Sequence, residues 1–213
     1  MASAGVIFDM DGVLVDSGAY HRAAWQALLA ELGVPLPPEF WRRTIGRPAE
    51  EAVARLLGRA LSPAQARELG QRKHEHYERL AGQALPAIPG APQFVEALVR
   101  SGVPRAVASS ARRADVTRLL GDLGLLGHFE IVVTADDVRR GKPDPEVYVR
   151  AARGLGIPPA ECLVFEDSLV GVQAAREAGM RVIGIATAHT EAELLGAGAE
   201  RVIANFEGCA WPV

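Results

Sequence analysis

Ala4-Gly5-Val6-Ile7-Phe8-Asp9-Met10-Asp11-Gly12 opens the chain with a short apolar run that stops at two aspartates and a glycine. Such a run, apolar throughout and closed by a turn signal, suits a strand buried on both faces of a parallel sheet. Similar runs follow at 103–108, 131–133, 162–165 and 182–185, with a weaker one at 201–204. Between them, helical periodicity covers 91–101, 115–123, 145–155, 169–178 and 191–196. Strands alternating with helices build right-handed βαβ units, which predicts an α/β fold, a doubly wound parallel sheet. Gly102, Gly124, Gly156 and Gly179 follow these helices, where a C-terminal cap needs positive φ.

The stretch 17–87 breaks this rhythm. It reads as helix after helix, at 19–32, 48–57 and 63–80 with a short turn near 38–44, and contains no strand-like run. Pro48 and Pro63 stand where first-turn prolines belong. The expected organisation is an α/β core of residues 1–16 and 88–213, with an all-helical cap, 17–87, inserted after the first strand. The segment 81–89, with two prolines, reads as the return linker.

In open parallel sheets, ligands bind beyond the carboxyl ends of the strands. Asp9 and Asp11 follow the first strand, Ser109-Ser110 the second, Lys142 the loop after the third, and Glu166-Asp167 the fourth. Carboxylates gathered at one edge repel one another unless a cation neutralises them. All-oxygen ligands with room for water and phosphate favour Mg²⁺. Ser109, with backbone N–H groups leading into the next helix, could hold phosphate oxygens. Asp9 could then attack phosphorus to give an aspartyl-phosphate. Asp11 could protonate the leaving oxygen and later deprotonate water, if the crowded acidic pocket keeps it partly protonated.

Phe8-Asp9-Met10-Asp11-Gly12-Val13-Leu14-Val15-Asp16-Ser17 resembles the first motif of the haloacid dehalogenase superfamily. Val107-Ala108-Ser109-Ser110 resembles the second, Gly141-Lys142-Pro143-Asp144-Pro145 the third, and Val164-Phe165-Glu166-Asp167-Ser168 with Gly171 the fourth. The helical insert is similar to the cap of the subgroup that contains β-phosphoglucomutase and small sugar-phosphate phosphatases. The resemblance implies a Rossmann-like core, a nucleophile at Asp9 and an acid/base at Asp11. It implies Mg²⁺ held by Asp9, the Asp11 carbonyl and Asp167 with Glu166 nearby, and phosphate held by Ser109, Ser110 and Lys142. His21, on the first cap helix, matches the mutase-like pattern and is a candidate specificity residue.

In the cap, Thr44-Ile45-Gly46-Arg47-Pro48 looks like the specificity loop, which makes Arg43 and Arg47 candidate substrate contacts, though either could be surface charge. The mutases carry a Lys just before the loop glycine and an Arg three residues after it. Ile45 and Ala49 stand there in this chain, so hydrolysis of a small phosphorylated sugar or related metabolite is the favoured activity. A mutase and a non-catalytic phosphometabolite or protein binder are the alternatives. A phosphonatase needs a cap lysine, and Lys73 lies far along the insert from the matching loop. His74 and His76, two apart on a helix, do not share a face and read as surface. Trp25 reads as cap core. Asp16 and Asp144 suit a turn or helix start as well as a site.

Composition narrows the field further. A formal net charge of −3 with no basic stripe argues against nucleic acid. No apolar run reaches membrane-spanning length. Cys162 and Cys209 are far apart and form no zinc or disulfide pattern. A monomeric cytoplasmic protein is expected.

Overall fold

The apolar runs form the strands of one sheet: β1 (Gly5–Phe8), β2 (Arg105–Ala108), β3 (Ile131–Val133), β4 (Cys162–Glu166), β5 (Arg181–Ile185) and β6 (Arg201–Ile203). Their order is β3-β2-β1-β4-β5-β6, and every neighbouring pair is parallel. The computed structural model describes residues 5–37, 39–82 and 84–212, without the side chains of Arg42 and Arg43. Ala4 of the expected first strand, Pro38 of the expected turn, Gln83 of the linker and the Arg43 side chain lie outside the described residues.

The period of two along β1 sorts its side chains between two cores. Val6 and Phe8 join Phe94, Phe165 and Phe206 on one face, while Ile7 joins Ala106, Val164 and Tyr148 on the other. Phe8 stacks on Phe165 with ring centroids 5.2 Å apart, and Phe94 meets Phe165 edge-on at 5.4 Å. Each such fully buried ring contributes about 1.5–3 kcal/mol of apolar burial, so β1 and β4 are anchored directly beneath the residues that end them.

Helices α1 (Gly18–Glu31), α2 (Phe40–Thr44), α3 (Ala49–Leu57) and α4 (Pro63–Leu80) follow β1 in succession. They enclose an apolar cluster of their own, centred on Trp25, Leu28, Val53, Leu56 and Leu69. Ser62 and Gln65 form a reciprocal capping box at the start of α4, with Pro63 at its first position. Pro48 instead occupies the N-cap of α3, one residue before the expected first turn. Its carbonyl accepts from the backbone N–H groups of Glu51 and Ala52, a role that needs no N–H from proline.

The remaining helices are α5 (Ala91–Arg100), α6 (Arg113–Asp122), α7 (Glu146–Leu155), α8 (Leu169–Glu177) and α9 (Glu191–Ala197). Gly102, Gly124, Gly156 and Gly179 all have positive φ, as the capping pattern requires. The start of α6 precedes the expected position because Asp136, far along the chain, accepts a bond from the Arg113 backbone N–H at 2.8 Å. β2 and β3 lie on one side of β1, β4 to β6 on the other. The crevice at the carboxyl ends of β1 and β4 is therefore the switch point where such sheets bind ligands.

Candidate active site

Asp9 and Asp167 step off the ends of β1 and β4, and Glu166 is the last residue of β4. Oxygens of these three buried carboxylates lie within 4.8 Å of one another. Two such charges repel by roughly 3–4 kcal/mol at an effective dielectric of about 20. One buried cation faces them: Lys142 Nζ donates to Asp9 Oδ1 at 2.6 Å and to Glu166 Oε2 at 2.7 Å. Burial, then Glu166, pushes the proton affinity of Asp167 well up. Burial likewise raises Asp9, against the pull of Lys142. Lys142 is held charged by Asp9 and Glu166, although burial opposes it. One lysine is too little positive charge for three buried acids, and a divalent cation fits this donor set.

Glu166 differs from its neighbours. Its Oε1 accepts from the Asp167 and Ser168 backbone N–H groups and the Ser168 hydroxyl, at 2.9–3.0 Å. Its Oε2 accepts from Lys142 and from the Tyr148 hydroxyl at 2.5 Å. Five donors overcome the burial that opposes ionisation and hold it below the ordinary carboxylate range. Gly171 is required beside it, because a Cβ there would collide with the Glu166 carboxylate. The helix that follows, α8, is capped by Ser168, so the acidic pair is not its N-cap.

The chain reverses after Asp9 in a tight turn, with Gly12 at φ 76°. A side chain at Gly12 would run into Asp167. Thr187, just past β5, donates to the Gly12 carbonyl at 2.7 Å, and its oxygen lies 3.2 Å from Asp167 Oδ2. His189 Nδ1 lies 3.1 Å from the Asp167 carbonyl, to which it donates. The sequence reading missed both residues; the strand-end rule, applied to β5, points to them.

The hydrogen-bond partners of Asp11 lie outside this acidic cluster. Its Oδ1 accepts from the Ser17 hydroxyl at 2.5 Å and lies 3.2 Å from His21 Nε2. His21 Nδ1 in turn lies 2.7 Å from Lys73 Nζ. An ammonium only donates, so Nδ1 accepts and Nε2 carries the proton offered to Asp11. Burial favours protonation of Asp11, but His21 and Ser17 outweigh it and hold the carboxyl below its usual range. That direction favours the carboxylate over the expected partly protonated form. Burial and Lys73 push His21 down, which keeps the imidazole neutral.

Lys73 corrects the sequence reading. It is buried, because α4 packs along α1 and carries it to His21 across 52 residues of sequence. Its ammonium sits 5.1 Å from the Tyr77 ring centroid and 5.5 Å from that of Trp25. His74 and His76 are not surface residues either. His76 Nε2 pairs with Glu31 on α1 at 2.8 Å, and His74 stands between Glu78 at i+4 and Asp115 of α6. The two-residue spacing does put them on different faces, and neighbouring helices cover both. Trp25 is buried in the helical cluster, as expected.

Burial drives Lys73 down from 10.5 to about 8. The unfolded chain keeps this proton up to the higher value, so stability rises with pH between the two. Below about 8 the folded state carries the full cost, about 3 kcal/mol. Lys73→Met is therefore expected to stabilise the protein by about 1–3 kcal/mol at pH 7 and by less at pH 10.5, while lowering turnover. Urea denaturation at both pH values checks this, and destabilisation at pH 7 contradicts it.

The two serines each make one hydrogen bond within the chain. Ser109, buried just past β2, accepts from the Ala111 backbone N–H at 3.0 Å, and Ser110 donates to the Gly46 carbonyl of the helical insert at 3.1 Å. Neither caps α6, whose N-cap is Arg112. Arg112 donates to Gln71 of α4 at 2.9 Å. The inserted helices thus roof a cavity of about 600 Å³ that reaches Asp9, Asp11, Ser109, Lys142 and Asp167. That volume suits a phosphorylated sugar-sized ligand. Arg47 lines it, but its Nη1 is held by Glu51 at 2.6 Å. Asp16 lines it from an exposed position, and Asp144 steadies the Lys142 loop by accepting from the Glu146 N–H and pairing with Arg140.

The family model for haloacid dehalogenase-like hydrolases matches residues 4–179. The chain belongs to this family. Among its curated relatives is the validoxylamine A 7'-phosphate phosphatase of Streptomyces hygroscopicus subsp. limoneus, 36% identical over 97% of this chain and 95% of that one. The chloroplastic 5-amino-6-(5-phospho-D-ribitylamino)uracil phosphatase of Arabidopsis thaliana is 33% identical over 89% of this chain, which spans about half (52%) of that protein's length. The solved structure of a hydrolase from Pseudomonas syringae superposes with a TM-score of 0.87, at 33% identity over 95% of this chain and 94% of that one. This haloacid dehalogenase-like hydrolase is thus an enzyme of the phosphatase kind. No helix among its described residues is long and apolar enough to cross a membrane.

Proposed function

We propose that the protein is a Mg²⁺-dependent phosphatase that hydrolyses a small polyhydroxylated phosphate monoester through an aspartyl-phosphate on Asp9. The carrying observation is the set of three buried carboxylates served by one lysine at the switch point of the sheet. Residues 17–87 act as a cap domain on a core of 1–16 and 88–213. Asp9 and Asp167, with the Asp11 carbonyl, would hold the ion, while Glu166, saturated by its own donors, fixes Lys142. Bound there, Mg²⁺ would neutralise charge on the phosphate and let two anions approach.

Asp9 Oδ1 is held by Lys142, which leaves Oδ2 to attack phosphorus. As the Asp9–phosphorus bond forms and the ester bond breaks, Asp11 gives its proton to the leaving oxygen. An incoming phosphate dianion raises the proton affinity of Asp11, which supplies that proton. Asp11 then takes a proton from water, whose oxygen attacks phosphorus and frees Asp9 and inorganic phosphate. Such acid–base help is worth about 10²–10⁴-fold. Ser109, Ser110 and Lys142 hold the phosphate oxygens, and the His21–Lys73 pair orients Asp11.

Substrate class rests on the cavity and on two relatives named as phosphatases of validoxylamine A 7'-phosphate and of 5-amino-6-(5-phospho-D-ribitylamino)uracil. Ile45, Ala49 and the Glu51-bound Arg47 argue against the grip on a second phosphate that a mutase needs. A pure binder has no use for Asp11. The protein works as a monomer in the cytoplasm, where Cys162 and Cys209, both free thiols, stay reduced. Phosphate release from a panel of phosphorylated metabolites, with Mg²⁺ and with chelator, tests this function. Metal-dependent release from polyol and sugar monophosphates supports it. Interconversion of hexose phosphates without release supports the mutase.

A further inference from the structure

The cavity holds a second feature that phosphate chemistry does not use. Tyr77 of α4 is 3% exposed, and its ring stacks on His21 with centroids 4.3 Å apart. Yet its hydroxyl has no hydrogen-bond partner among the described residues. An unpaired buried hydroxyl is destabilising, and phenylalanine would give the same packing without that cost. Packing therefore accounts for the ring and not for the oxygen.

Burial and the nearby carboxylates of Asp11 and Asp115 keep this phenol un-ionised, hence a donor. Asp115 comes from α6 on the core side and lines the same cavity. Its neighbour His74 Nδ1 is 3.8 Å away, too far for a hydrogen bond. Tyr77 from the cap and Asp115 from the core thus line the same cavity that reaches Asp11.

We propose that Tyr77 and Asp115 are specificity residues that read a hydroxyl of the substrate. The phenol donates to that hydroxyl's oxygen, and the hydroxyl donates to Asp115. This inference rests on the phosphatase reading and names the feature of the substrate that the closed cap selects.

Matched esters test it: ribitol 5-phosphate against pentyl phosphate, with Mg²⁺, for the wild type, Tyr77→Phe and Asp115→Ala. The wild type is expected to favour the polyol ester in kcat/KM, and Tyr77→Phe to cut that preference about tenfold, a net hydrogen bond's worth. Tyr77→Phe is also expected to melt no lower than the wild type without substrate, since it removes an unpaired donor. Asp115→Ala should cut the same ratio. An unchanged ratio in Tyr77→Phe, or a wild type indifferent to the two esters, overturns the inference while leaving the phosphatase reading standing. If the wild type releases no phosphate from either ester or from any other, the phosphatase reading fails, and the inference fails with it.

Discussion

Asp9→Asn is expected to abolish phosphate release, by about 10⁴-fold or more, in a protein that remains folded. An amide of the same shape is no nucleophile, and no neighbour can replace it. Glu166 is enclosed by five donors, Asp11 is turned toward Ser17 and His21, and Asp167 is backed by Thr187 and Gly12. The fold should tolerate the change. Burial already disfavours a charge at Asp9, and Lys142 keeps Glu166 as a partner. Phosphate release and a thermal melt, measured together, check the expectation. A folded variant with near wild-type turnover would remove Asp9 from the chemistry.

Removal of divalent metal is expected to have the next largest effect, a loss of roughly 10³-fold that Mg²⁺ restores. Stability should follow. Without metal, Asp9 and Asp167 bind protons above the ordinary carboxylate range. A raised folded value means that their contribution is present at low pH and lost as pH rises through it. The metal-free protein is therefore expected to melt higher at pH 5.5 than at pH 8. Mg²⁺ should narrow that gap by stabilising the folded state at pH 8, by about 2.7 kcal/mol at a hundredfold excess over its Kd. Protons and metal compete for the same oxygens, so half-saturating Mg²⁺ should rise as pH falls. Full activity in chelator, or melts indifferent to Mg²⁺, would contradict the metal assignment.

The core was legible because each strand is a local apolar run and each catalytic candidate ends one. Phe8 followed by Asp9, and Phe165 followed by Glu166 and Asp167, say both where the sheet stops and what stands at its edge. What escaped depends on contacts between distant segments. Lys73 reaches His21 only because α1 and α4 pack together, and nothing near residue 73 announces it. The start of α6 is fixed by Asp136. The saturation of Glu166 needs Tyr148, which reads in sequence as one more apolar residue of α7. The hydrogen-bond partners of Asp11 were not legible from its place beside Asp9. The reversal at Gly12 is followed by Ser17 and His21, which supply them.

The most direct test of Asp9 as nucleophile is to quench the enzyme with borohydride during turnover of a reactive phosphate ester with Mg²⁺, then sequence its peptides by mass spectrometry. Borohydride reduces an aspartyl-phosphate to homoserine. Homoserine at position 9, formed only when substrate and metal are both present, is the predicted result. Active turnover with Asp9 unmodified, or with the modification on another carboxylate, would contradict it.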